Sequence, residues 1–259
     1  MGKFIFTNGG GLSVASGPST TSKANSNLTG FLDAPDQIYG SGADGSVTLD
    51  GTATILSMVP SGSVYTATRD LFFYNLTLSD SVRLNPAGYR IFVQNILMLG
   101  NGSVIGHTTG FITAGSIQQG AAALTSVTHS LGGGGGGVGA GTATVPTAVT
   151  GGTNYYYQPF QAVRGYSITG SSTTPTFLRG GAGGASGTGG GVVILAARYI
   201  SLSSGTATIK APGTAGAGGG GGGVVIIISS AATLLSGVST DVTAGTGGTA
   251  GTSIYSQVV

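Results

Sequence analysis

Residues 190–214 read GGVVILAARYISLSSGTATIKAPGT, and residues 222–246 read GGVVIIISSAATLLSGVSTDVTAGT. Laid over one another without a gap, at an offset of 32 residues, they bring Gly190-Gly191-Val192-Val193-Ile194 onto Gly222-Gly223-Val224-Val225-Ile226. Leu202 falls on Leu234, Ser204-Gly205 on Ser236-Gly237, and Gly213-Thr214 on Gly245-Thr246. The repeating unit is a glycine run, a fully aliphatic strand, a small polar corner, a second short strand and another glycine run.

A second echo lies upstream. FFYNLTLSDSVRLN (72–85) is matched by IFVQNILMLGNGSVIG (91–106) at an offset of about twenty residues. Short segments at 47–49, 53–55, 71–74, 76–78, 82–84, 90–93, 96–99 and 103–105 are rich in β-branched or aromatic residues and bounded by Gly, Asn, Asp or Ser. That pattern reads as strands. Several short strands in about 20 residues is the signature of a β-solenoid coil, in which each strand pairs in parallel with its equivalent one rung away. A β-sandwich is the open alternative. The expected fold is all-β: a solenoid-like or sandwich-like front half, then a glycine-rich layered region. The expected boundaries are an extended arm over 1–45, a strand-rich region over 46–131, and a glycine-rich repeat region over 132–259 carrying an insertion loop at 142–179.

Glycine supplies 52 of the 259 residues, and residues 132–137 are six glycines in a row. Two readings of such runs are open. One is a flexible tether, the default for a residue that loses most backbone entropy on ordering. The other is extended helices of the polyproline-II type, three residues per turn, packed side by side and bonded laterally through the backbone. The second is preferred because each run abuts an aliphatic strand and the arrangement repeats. In that case a single Gly→Val within 219–223 is far more damaging than in a tether.

Composition excludes several classes. There is no Cys, so no disulfide scaffold and no thiolate metal site. Charged residues are 6% and the net charge is +2, too little for a nucleic-acid binder. The longest aliphatic run is 224–228, which reads as a buried strand and not as a membrane span. The N-terminus lacks the apolar stretch of a secretory signal.

Catalytic constellations are not legible. His107 and His129 lie in polar surroundings and read as exposed or locally bonded. Asp33, Asp36, Asp44, Asp50, Asp70, Asp80 and Asp241 are the only acidic side chains, and no Glu is present. Asp70 and Asp80 read as turn residues. No glycine run is followed by Lys and Ser/Thr, so the phosphate-loop pattern is absent, and the Gly half lacks the repeated Asp of a calcium roll. The expectation is a protein with no enzymatic activity, no cofactor and no metal.

Two patches are candidates for contact. Tyr155, Tyr156, Tyr157 and Phe160, followed by Arg164 and Tyr166, are typical material of a recognition surface for a sugar or a partner protein, and equally of rings packed on a sheet. In the arm, Phe4, Phe6, Phe31 and Leu32 form short apolar islands suited to pairing with a neighbour's sheet edge.

Residues 40–55, the stretch 71–106 and the two GGVVI blocks resemble glycine-rich structural proteins of tailed bacteriophages. The resemblance covers roughly residues 40–250. It implies a virion component: a head decoration or cement protein on the capsid exterior, or a head fibre. It also admits a tail-fibre tip adhesin, whose host-contacting loops lie between glycine runs. The implied partners are the major capsid protein or other virion proteins and further copies of the chain, as a homotrimer, with the arm docking on the capsid. In the adhesin alternative a cell-surface glycan is the partner. Neither nucleic acid nor membrane is expected. A carbohydrate-active β-helix enzyme is the third reading.

Overall fold

The computed structural model describes residues 38–107, 127–128, 132–144 and 180–258. These residues form an all-β architecture of parallel sheets.

The strands in chain order are β1 (Ser46–Leu49), β2 (Val64–Thr66), β3 (Leu71–Phe73), β4 (Asn75–Leu78), β5 (Arg83–Asn85), β6 (Ile91–Leu99), β7 (Val104–Gly106), β8 (Val127–Thr128), β9 (Ala143–Thr144), β10 (Val192–Leu202), β11 (Ala207–Lys210), β12 (Val224–Ser229), β13 (Val238–Asp241) and β14 (Thr252–Gln257). The first sheet has the order β1-β4-β6-β10-β12-β14, with β3 also on β6. The second has the order β13-β11-β7-β5-β2. β8 and β9 form a separate parallel pair. The chain therefore passes from one sheet to the other and back, and each pass lays its strands beside those of the pass before.

Register follows the two sequence echoes. Leu71, Phe72 and Phe73 pair with Ile91, Phe92 and Val93. Leu76 then pairs with Leu97, so one residue has been gained between the two stretches. Downstream, Val192-Val193-Ile194 pairs with Val224-Val225-Ile226, the alignment read from the 32-residue repeat. β10 also pairs with β6, so strands of the glycine-rich half extend the sheets of the front half.

Burial explains the strand composition. Inward residues Leu49, Leu76, Leu78, Leu97, Leu99 and Leu195 of the first sheet meet Tyr65, Leu84, Ile105 and Ile209 of the second in one apolar cluster. The other face of the first sheet is also buried over β10 and β12, where Val192, Ile194, Ala196, Val224, Ile226 and Ile228 join Tyr39 and Phe92. A strand covered on both faces has no polar side to alternate with, hence the unbroken run at 224–228. On that face Phe72 and Phe92 stack with centroids 4.9 Å apart.

Each pass enters the second sheet through a left-handed corner: Ser63 (φ 66°), Ser81 (59°), Gly102 (68°), Gly205 (62°) and Gly237 (87°). Segment 53–55, expected as a strand, is instead part of a turn. The Asp50 carboxylate accepts hydrogen bonds from the N–H groups of Thr52 (2.7 Å) and Ala53 (3.1 Å), and Ile55 closes a local bridge with Met58. Met58 is thereby buried beside the first pass.

The glycine runs are bonded to one another. Gly219, Gly220, Gly221, Gly222 and Gly223 donate to the carbonyls of Thr246, Thr214, Ala182, Thr249 and Ala211 at 2.8, 3.1, 2.9, 2.9 and 2.8 Å. Their own carbonyls accept from Gly136, Gly245, Gly190, Gly133 and Thr252. All ten backbone groups of this buried segment are satisfied, which removes the main cost of burying bare backbone. Partners recur every third residue. Residues 219 and 222 share the segments 246–249 and 133–136, and 220 and 223 share 211–214. In a β-ladder partners would recur every second residue.

Candidate functional site

The predicted contact residues are not brought to a site that can be described. Tyr155, Tyr156, Tyr157, Phe160, Arg164 and Tyr166 lie outside the described residues, as do Phe4, Phe6, Phe31 and Leu32. His129, Asp33 and Asp36 do as well.

His107 differs from its expected exposure: it is fully buried. Its Nε2–H donates to the Val192 carbonyl at 3.2 Å, and its backbone N–H to the Lys210 carbonyl at 3.1 Å. Nδ1 has no partner among the described residues. Burial pushes the imidazole pKa down to about 4, against a small opposing pull from the Val192 carbonyl. The ring is neutral and ties the end of β7 to the start of β10.

The five described aspartates are occupied structurally. Asp44 forms a two-pronged pair with Arg69 (2.6 and 3.0 Å) and accepts from the Phe72 N–H at 2.7 Å. Burial alone would raise its pKa, but these bonds outweigh it and hold the carboxyl below its usual range. Asp70 pairs with the Arg90 guanidinium and accepts from the Arg90 backbone N–H at 2.8 Å. Asp50 is pulled down to about 2 by the Thr52 and Ala53 N–H groups. Asp80 accepts from the Asn101 N–H and Asp241 from Thr243. Among the described residues no three His or Asp side chains converge on a point that could hold a metal.

Among the described residues, one open surface is the outer face of the first sheet over β1, β4 and β6. Alternation turns Ser46 and Thr48 of β1, Asn75 and Thr77 of β4, and Ile96 and Met98 of β6 away from the core. With Val47 and Asn95 they line a hollow of about 380 Å³. An amide ladder fixes its floor: Asn95 Nδ2 donates to Asn75 Oδ1 (2.9 Å), Asn75 Nδ2 donates to Ser46 Oγ (2.9 Å), and the Ile96 N–H donates to Asn75 Oδ1 (3.2 Å). Tyr199 of β10 is the register partner of Ile96, and Tyr74 immediately precedes Asn75. Tyr74, Ile96 and Tyr199 are 47%, 38% and 49% exposed, so large exposed apolar side chains gather here. The equal placing of Asn75 and Asn95 in the two echoing stretches is the one signal in the sequence that could have pointed to this ladder, and it reads there as a strand boundary.

No protein-family model, curated protein or solved structure matches the chain.

Proposed function

We propose that this chain is a non-enzymatic structural component of a tailed-phage virion, a decoration or cement protein coating the outside of the head as a homo-oligomer. The finer architecture belongs to the same reading. The two sheets are the walls of a β-solenoid, and the glycine segments are polyproline-II-type helices. Period-three bonding around 219–223 is what such helices produce when packed side by side.

The observation that carries the reading is that bonded glycine core. It has few charges, no thiol to oxidise and no unsatisfied backbone at its centre. This suits a particle that must persist without repair. Buried and bonded backbone opens rarely, and proteolysis needs opening. The reading gives the arm, with Phe4, Phe6, Phe31 and Leu32, the role of docking to the major capsid protein or to a neighbouring copy by strand addition.

The decisive experiment is to label the chain and image purified virions, then repeat with residues 1–40 deleted. Label on the head, lost on deletion, supports the reading; attachment retained after deletion overturns the docking role. Label at the tail tip would instead favour an adhesin. One observation speaks for that second reading. The turns around Val138, Ser186, Gly216 and Gly247 lie together at one end of the glycine segments, as the contacts of Gly136, Gly137 and Gly216 require.

A further inference from the structure

We propose that the outer face of β1, β4 and β6, flanked by Tyr199, is a binding site for a neutral oligosaccharide. The inference does not depend on where in a virion the chain sits.

The lining sets the ligand class. Every polar group in the hollow is a hydroxyl or an amide: Ser46, Thr48, Asn75, Thr77 and Asn95. The ladder uses only part of their capacity. Asn75 spends one amide hydrogen on Ser46, and Asn95 spends one on Asn75. Each amide nitrogen keeps a second hydrogen. Ser46 accepts from Asn75, so its own hydroxyl hydrogen is available to donate. The Thr48 and Thr77 hydroxyls make no hydrogen bond with described residues. Spare amide donors on Asn75 and Asn95, beside Ser and Thr hydroxyls that can donate or accept, are complementary to vicinal hydroxyls on a sugar ring.

The apolar part fits the same ligand. Ile96 and Met98 supply aliphatic floor, and Tyr199 stands beside Ile96, its ring half exposed. Sugar rings carry C–H faces as well as hydroxyl edges, and a Tyr ring offers an apolar body with a polar tip. Exposed aromatic and aliphatic side chains gathered at one place, beside polar groups, mark a recognition site more than scattered ones do.

Charge argues for neutrality. No ionisable side chain lines the hollow. The nearby Arg198 guanidinium lies over the Tyr199 ring, 5.6 Å from its centroid. A uronate or sulfate in the hollow would lose hydration and meet no cation within it. The volume, about 380 Å³, is in the small-molecule range of about 300–1,000 Å³.

The test is saturation-transfer NMR on the full chain with maltohexaose, cellohexaose and chitohexaose as neutral probes and hexagalacturonate as the charged control. At least one neutral probe should bind at millimolar concentration, and the charged one should not. Tyr199→Ala should weaken binding about tenfold, the effect of one stacked ring. Thr77→Glu, which sets a carboxylate in the hollow, should do the same. Tyr199→Ala removes a half-exposed side chain, so an unchanged melting midpoint identifies the loss as local. Absence of binding by all three neutral probes, equal binding of hexagalacturonate, or full affinity in folded Tyr199→Ala would each overturn the assignment.

Discussion

At Gly220 a methyl group would come within 1.9 Å of the Thr188 carbonyl oxygen and 2.2 Å of its carbon. Both are backbone atoms and cannot swing aside. At Gly45, by contrast, φ is +71° and nothing lies within 4 Å. The two positions separate two reasons for glycine. Gly45→Ala should cost only the left-handed conformation, about 1–2 kcal/mol. Gly220→Ala should cost overpacking, about 3 kcal/mol or more, because the lattice must part to admit it. Urea denaturation of both variants measures the difference; equal costs would mean that the glycine runs are loosely held.

His107 gives a second residue-scale prediction, with a definite sign. Its folded pKa lies below the unfolded value, so the unfolded chain binds more protons between pH 6.5 and about 4. Stability from this group is complete above pH 6.5 and is lost as pH falls through that window. The loss by pH 4.5 should be about 2–3 kcal/mol. Asp44 and Asp50 titrate lower, so they contribute little slope above pH 4.5. His107→Gln should flatten the slope between pH 6.5 and 4.5, read by denaturation at several pH values. The sequence hid this residue. Its neighbours are Thr and Gly, and the carbonyl that holds it, Val192, is 85 residues away.

Among the elements, strands were legible where an echo fixed them and illegible where they were shortest. The 32-residue repeat set side by side the residues that pair in β10 and β12, because both strands are covered on two faces and so keep their aliphatic identity. β2 left no signal, since three residues at 64–66 with one inward side chain, Tyr65, resemble any loop. The segments 90–93 and 96–99 read as two strands, yet β6 runs through both. Asn95, which looked like a boundary, instead continues the ladder with Asn75. The hollow was illegible for a related reason: Ser, Thr and Asn at alternate positions look like corners until the register places them on one face. Asn75 is the hinge of that ladder, serving Ser46, Asn95 and the Ile96 N–H. Asn75→Ala should therefore cost about 1 kcal/mol, because two of the three bonds are exposed and water can take Asn75's place in them, measured as a lower urea midpoint. Asn75→Asp should recover part of it, because the acceptor at Oδ1 is kept.

Over the whole molecule, what matters is that the two halves are not separate bodies. β10 pairs with β6 over seven register positions from Leu195 to Leu202, and β11 pairs with β7. Val193, Leu195 and Ala197 share one apolar cluster with Leu76, Leu97 and Tyr65. The glycine core enters this continuum through the chain itself, since residues 221–223 run directly into β12. Stacked passes contact mainly their neighbours, so cooperativity depends on the strength of each junction. Here the junction is a fully buried pair of strands, and damage in the glycine core should travel. Gly221→Val makes the case testable, because its side chain would begin 1.8 Å from the Gly133 carbonyl oxygen. If the sheets and the glycine core unfold as one unit, this variant should lower amide-exchange protection in β6 and β10 as well as in 219–223. Thermal unfolding should stay a single transition at a lower temperature. If the glycine segments are an appendage on an independent sheet pair, protection in β6 will be unchanged and a second transition will appear.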